Sequence, residues 1–557
     1  MFRFFRHRLG HYLLLLLTTS LLTLPNLGRV SLFDFDEGVN AEASREMLEA
    51  NNWIVPMFNY ELRTAKPIMI YWLQMASYQV FGVNEFAARF PSVLAALLTV
   101  LLTYELGRSM FRPSTGLLGG LVLSSAIYFC LSAHAAIPDA TLLLFTMLTM
   151  YLFWIGSVNE GRWWFIPAGM AAGLAVLTKG PVGFALPGLV IFLFFLWNRE
   201  LYRLWDRRVI WGFLAFCAVA LPWYILVTLE TRGAWASAFF GKENLQRFSS
   251  PMENHRGSIF YHLIGLLFFF APWSIFLGVS IWNGWKGTAS SEGIETADLP
   301  SEERKERQAH RFLLCWFGGY LVFFSVAATK LPNYVLPLYP ALALLTGRFL
   351  DRWRLQPWSF PRWIMPVAWS GLALVGIGAI FGLLIGGGAI TLPGVKMRTY
   401  PGMEQWAIFG AIPLLGVLCG ICFQLKKNRD AVVATLVVTA VLFMGCLAAF
   451  VAPTFDDYKA PKELVKISGA RQRDSEVKLG SLLYFQPSLV YYGQREVKKF
   501  EGFEQAMDFL RLPYEVFLYV PEPVGKELAP RATIPLRLAA KRFDFLKNCD
   551  ILVLTNR

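Results

Sequence analysis

A chain of 557 residues that is 55% hydrophobic and only 16% charged, with 47 Phe and 19 Trp, is too apolar for one soluble domain and has the make-up of a multispanning membrane protein. The formal net charge of +13 implies no nucleic-acid partner; it is informative through its distribution, which orients the spans. Seven scattered cysteines imply no disulfide framework, and Cys419 and Cys422, though at redox-motif spacing, sit inside an apolar run without a βαβ context.

Apolar stretches of bilayer-spanning length, roughly 17 to 25 residues, occur thirteen times: near 11–30, 90–107, 114–132, 140–157, 163–178, 181–197, 209–229, 261–283, 311–328, 333–348, 363–386, 405–424 and 431–451. With the amino terminus (Arg3, Arg6, Arg8) inside, the loops that fall inside carry Arg108 and Arg112, then Arg199, Arg203, Arg207 and Arg208. Further along come Arg304, Lys305, Arg307 and Arg311, then Arg348, Arg352 and Arg354, and finally Lys426, Lys427 and Arg429. This positive-inside pattern is self-consistent. The first run is expected to be an anchor, since no small-residue cleavage site follows it.

The loop 31–89 falls outside and is long and polar, which in a compact protein calls for a function. It is expected to hold two amphipathic helices: 40–49, with Glu42, Arg45, Glu46 and Glu49 on polar faces, and 68–81, whose Tyr and Trp suit an interfacial helix lying on the membrane. The inside loop 284–310 is polar and is expected to be mobile. An odd number of spans places everything after Pro453 outside. Strands at 477–485, 515–520 and 551–555 and a helix at 502–512 are expected there, a small α/β domain without a nucleotide-binding glycine motif. The fold class is thus a polytopic α-helical membrane protein, divided into a transmembrane domain (1–452) and a carboxy-terminal domain (453–557).

Two carboxylates fall at the same outer face, Asp36 after the first span and Asp139 at the start of the fourth. Asp36 also suits helix capping, but an ionisable group at a helix end beside lipid is costly unless it meets water or a partner. Cations on the outer side run against the positive-inside bias: Arg63, Lys66, Arg89, Arg247 and Lys330, the last beside Tyr334. Each alone could snorkel to the interface; as a set they suit a lipid phosphate bound by charge-assisted hydrogen bonds. Glu253, His255 and His262 are the weak candidates for a metal, because six residues between the two histidines do not place them on one helix face.

Several segments together resemble a known family. They are Asp36-Glu37, the run from Asn51 to Pro56, Lys66-Pro67, Tyr71-Trp72-Leu73, the run from Phe81 to Arg89, Pro138-Asp139, the run from Leu177 to Pro181, the run from Glu243 to Phe248, and the run from Lys330 to Tyr334. They are similar to the aminoarabinose transferases that modify lipid A, relatives of the protein O-mannosyltransferases among the membrane glycosyltransferases of C type. The resemblance implies a polyprenyl (undecaprenyl) phosphate sugar donor, an acceptor that is lipid A or another envelope glycan, and inverting transfer at the outer face of a bacterial inner membrane. It implies phosphate contacts at Lys66, Arg247 and Tyr334, with Glu37, Arg63 and Lys330 beside them, and catalytic acids at Asp36 and Asp139. Where the family usually has Glu-Lys-Pro and often a His, this chain has Ala65 and Asn244, so a divalent metal is disfavoured and the identity of the sugar stays open. The alternatives are another sugar or acceptor with the same chemistry, or a flippase for a lipid-linked sugar; the latter would call for internal repeats and midplane charges, which are not seen.

Overall fold

The computed structural model describes residues 8–158, 163–246, 257–289, 301–391, 398–471, 476–532 and 534–557. Every apolar stretch expected to span coincides with a helix or a bent helix pair. Among the described residues seven helices are long and apolar enough to cross a membrane, and up to nine cross if each of two bent pairs counts once. Those pairs are Pro113–Ser124 with Ile127–Ala133, bent by 68°, and Tyr261–Phe269 with Trp273–Lys286, bent by 119°. Phe165–Lys179 and Val182–Trp197 are shorter apolar helices. The described helices thus do not confirm the expected count of thirteen spans.

Local chemistry explains where the helices start and how closely they pack. In Glu85–Met110 the Asn84 side chain accepts from the Ala87 amide at 2.9 Å, Glu85 lies in the first turn and Arg108 in the last, as the helix dipole favours. A Cβ on Gly116 would lie 2.3 Å from the Tyr104 carbonyl oxygen, so the absence of a side chain there lets two helix backbones touch. The buried carboxylate of Asp351 joins helix ends, accepting from Arg112 Nε (2.5 Å), Ser114 Oγ (2.8 Å), Thr115 Oγ1 (2.8 Å) and Arg354 (2.9 Å). Helix Ser301–Val326 begins inside the segment expected to be a mobile loop, with His310 and Arg307 buried.

The first loop holds helices Asp36–Glu49 and Met69–Phe81, joined by a short hairpin of β1 (Met57–Phe58) and β2 (Glu61–Leu62). The polar face expected on the first of them is largely buried, with Glu49 left exposed. Arg45 is clamped by Glu42 through two hydrogen bonds of 2.8 and 2.6 Å, and Glu46 accepts from the Asn59 and Tyr60 amides. Most of Met69–Phe81 is likewise covered by protein instead of lying free on a surface.

The carboxy-terminal segment forms a five-stranded mixed sheet, in the order β4 (Val497–Phe500), β3 (Lys478–Leu482), β5 (Val516–Pro521), β7 (Cys549–Thr555), β6 (Arg537–Asp544). β3 pairs in parallel with β4 and β5, while β7 is antiparallel to β5 and β6. Helices Pro487–Gly493 and Phe503–Leu510 make the crossovers. The sheet docks on the first loop: Asn59 bonds both the amide (2.9 Å) and the carbonyl (3.1 Å) of Val497 at the edge of β4.

Candidate active site

The first loop, several helices and the start of the carboxy-terminal segment enclose a cavity of about 1790 Å³. Its lining includes the polar side chains of Asp36, Arg63, Lys66, Lys179, Asn333, Tyr334 and Glu243 and many apolar ones, among them Leu131, Leu142, Leu186, Phe323, Met444 and Leu447. Two π-helical turns border it, Phe239–Gln246, which carries Glu243, and Leu447–Val451. Such turns recur at functional sites because they re-aim side chains within a helix.

Asp36 opens helix Asp36–Glu49 but is not its cap; the cap position is Phe35, without a side-chain hydrogen bond. Its exposed carboxylate faces the cavity and makes no hydrogen bond or ion pair with the described residues. The Tyr71 hydroxyl lies within the electrostatic reach of both Asp36 and Arg63, and burial raises its pKa. Lys66 and Arg63 reach the cavity from the loop between β2 and helix Met69–Phe81.

Asp139 lies behind the cavity wall. It is 3% exposed and ion-paired with Lys179, and its second oxygen accepts from Asn333 Nδ2 at 3.1 Å. Lys179 Nζ also stands 5.6 Å over the Tyr334 ring. The Asp139 carboxylate therefore acts on the cavity through Lys179 and Asn333. Neither stood among the expected site residues, although Lys179-Gly180-Pro181 was visible as an outer turn.

Three expected site residues have other work. Glu37 does not present a free oxygen to a ligand: it takes two hydrogen bonds of 2.8 Å from Arg89 and one of 2.7 Å from each of the Phe33 and Ala136 amides. Burial alone would raise its pKa; the Arg89 charge and these bonds outweigh it and hold the carboxyl below the usual range. Arg89 also binds the Leu27, Val30 and Ser31 carbonyls, so it organises the loop instead of meeting a ligand. Lys330 is turned from the cavity and donates to the Phe324 (3.1 Å) and Ser325 (2.5 Å) carbonyls, which end a helix.

Arg247, Glu253 and His255 lie outside the described residues. His262 is buried at the start of helix Tyr261–Phe269. Among the described residues no three His, Cys, Asp or Glu side chains cluster as metal ligands. Ala65 presents only a methyl group to the cavity, so the donor that the family resemblance would bring to a metal there is missing.

The sequence profile described as dolichyl-phosphate-mannose-protein mannosyltransferase matches residues 65–225. The undecaprenyl phosphate-alpha-4-amino-4-deoxy-L-arabinose arabinosyl transferase 2 of Proteus mirabilis is 32% identical over 324 residues, 56% of this chain and 54% of the relative. An uncharacterized protein of Aquifex aeolicus is 32% identical over 326 residues, covering 58% of this chain and 69% of the relative. Among solved structures, ArnT from Cupriavidus metallidurans bound to undecaprenyl phosphate matches with a TM-score of 0.80 at 22% identity, over 99% of both chains. The archaeal oligosaccharyltransferase AglB from Archaeoglobus fulgidus matches with a TM-score of 0.51 at 11% identity, over 93% of this chain and 70% of that one. The fold is that of the multi-pass membrane glycosyltransferases of C type. Within that class the chain is similar to the aminoarabinose transferases and, over residues 65–225, to the protein mannosyltransferases. Sequence alignment with the Proteus transferase spans about half of that protein's length, 54%.

Proposed function

We propose that the chain is a glycosyltransferase that moves a sugar from undecaprenyl phosphate to an envelope acceptor, with 4-amino-4-deoxy-L-arabinose and a lipid A phosphate as substrates. The observation that carries this is one cavity lined both by cations with the Asp36 carboxylate and by many apolar side chains. A polyprenyl phosphate has that amphipathic form, and the similarity to aminoarabinose transferases supports the choice of sugar.

In this scheme the prenyl chain lies along Leu131, Leu142, Phe323 and Leu447, and the phosphate sits among Lys66, Arg63 and Tyr334. Arg247 joins them by its match to the family's phosphate contact. Transfer is displacement at the anomeric carbon with inversion. The bond from that carbon to the donor phosphate oxygen breaks as the acceptor oxygen bonds, and the leaving phosphate takes the electron pair. Lys66 and its neighbours stabilise the charge that develops there, and the cavity holds donor and acceptor in line. The acceptor sets the role of Asp36. A hydroxyl acceptor would give Asp36 its proton; a phosphate acceptor is already anionic, and Asp36 then orients the cationic amino sugar. Asp139 holds Lys179 and Asn333 at the wall.

The proposed setting is a bacterial inner membrane, with the amino terminus cytoplasmic and the cavity and residues 453–557 outside. Contacts between loops support that orientation. Arg8 meets Glu105, Arg112 meets Asp351, Arg354 meets Asp430 and Arg311 meets Asn198, so the arginine-rich loops share one end of the helices. The test is mass spectrometry of lipid A from cells with and without the protein. A mass increase on a lipid A phosphate equal to one aminoarabinose is expected; lipid A that is the same in both contradicts the proposal.

A further inference from the structure

Asp36 has no side-chain tether among the described residues, so its placement is left to the backbone leading into it. That backbone is held by residues more than 400 positions away in the chain. The Ser31 amide donates to Asp456 at 3.0 Å, Lys459 donates to the Ser31 carbonyl at 2.9 Å, and the Leu32 amide donates to the Tyr492 hydroxyl at 2.8 Å. The last of these tethers before Asp36 is double: Ser488 donates from its amide (2.7 Å) and its hydroxyl (2.6 Å) to the two oxygens of Asp34. Both side chains are buried.

The contact has a topological basis. β3 and β5 are neighbouring parallel strands; the connection from β3 leads to β4 on one side and the connection from β5 leads to β6 and β7 on the other. In open α/β sheets the carboxyl ends of strands at such a reversal form a crevice that binds ligands. Ser488 lies in the helix that follows β3 there, and the chain's own Asp34 occupies it. A second observation fixes the fit. A Cβ on Gly38 would lie 2.7 Å from the Ser488 nitrogen and 3.1 Å from the Pro487 carbonyl carbon, so the first turn of helix Asp36–Glu49 rests directly on this helix.

We infer that Ser488 is a positioning residue for Asp36: through Asp34 the carboxy-terminal unit pins the loop that presents the carboxylate to the cavity. The inference rests on the role proposed for Asp36 above. The donor phosphate contacts come from other elements, so the pin acts through Asp36 on the transfer step and leaves the phosphate contacts alone.

The test uses full-length protein in detergent, with Ser488→Ala, Ser488→Thr and Gly38→Ala beside the parent chain. Hydrogen exchange of the amides of residues 32–37 reads the pin without reference to catalysis. Steady-state transfer from the undecaprenyl-phosphate sugar reads kcat and the donor KM. Ser488→Ala is expected to speed exchange there and to lower kcat, each about tenfold, because one hydrogen bond to the Asp34 carboxyl is lost. Ser488→Thr restores both, and Gly38→Ala, approaching from the other side of the contact, repeats the loss. Exchange that is unchanged in both Ser488→Ala and Gly38→Ala overturns the inference, as does faster exchange with parental kcat. A parent chain that transfers no sugar contradicts the proposed reaction, while the exchange measurement still decides the pin.

Discussion

Asp36 and Lys66 carry the proposed chemistry, and their variants should differ in kind. Asp36→Asn keeps the size of the side chain and removes its charge; a fall in kcat of about 10²–10⁴ is expected if it takes a proton. Lys66→Ala removes a charge that meets both bound and leaving phosphate, so the donor KM should rise as kcat/KM falls by about 10²–10³. Glu37 and Arg89 belong to stability instead. Arg89→Ala strands a buried carboxylate, for which about 3–5 kcal/mol of destabilisation is expected, read as an earlier thermal unfolding transition. Acid works in two directions on this loop. Burial pushes the Asp34 carboxyl up to about 7, with Asp544 raising it further, while the Ser488 bonds and Lys459 oppose that rise. Its stabilising contribution is therefore complete below its ordinary value and is lost as pH rises through about 7. Glu37, held below the usual range, contributes at neutral pH and loses that contribution as pH falls. Asp34→Asn should flatten the decline in thermal midpoint between about pH 5 and pH 8; an unchanged slope would assign that decline to other groups.

At the level of elements, the sequence showed what depends on composition and missed what depends on tertiary cover. The strongly apolar runs all became helices, because their composition is decided by burial or lipid. β4 was missed: Val497-Lys498-Lys499-Phe500 has four residues and two exposed lysines, the chemistry of an edge strand. β6 was hidden by charge and by a pairing irregularity between Leu538 and Ala540. Glu42, Arg45 and Glu46 were expected on polar faces of an amphipathic helix 40–49; the structure pairs and buries them. Periodicity cannot tell a solvated charged face from a satisfied buried network. Close packing at Gly116 gives a prediction at this scale. Gly116→Val has no room beside the Tyr104 carbonyl and should lower the thermal midpoint and the yield of folded protein, whereas Gly116→Ala should do so less severely.

For the molecule as a whole, the sequence made one face of the membrane legible as a site but could not show how its residues divide. Asp36, Lys66, Arg63 and Tyr334 meet at one cavity, whereas Glu37 and Lys330 hold backbone and Asp139 holds Lys179. In the sequence all of them were polar side chains expected at one face; hydrogen-bond saturation separates them, and that appears only in three dimensions. The docking of the carboxy-terminal sheet on the first loop was likewise invisible, because Asp34 and Ser488 are 454 positions apart. The most direct test of the proposed reaction is transfer by purified protein in detergent, with undecaprenyl-phosphate aminoarabinose and lipid A as the only substrates and mass spectrometry as the readout. The predicted result is a lipid A product one aminoarabinose heavier with the parent chain and little or none with Asp36→Asn. Lipid A left unmodified by the parent chain, or modified equally fast by Asp36→Asn, would contradict it.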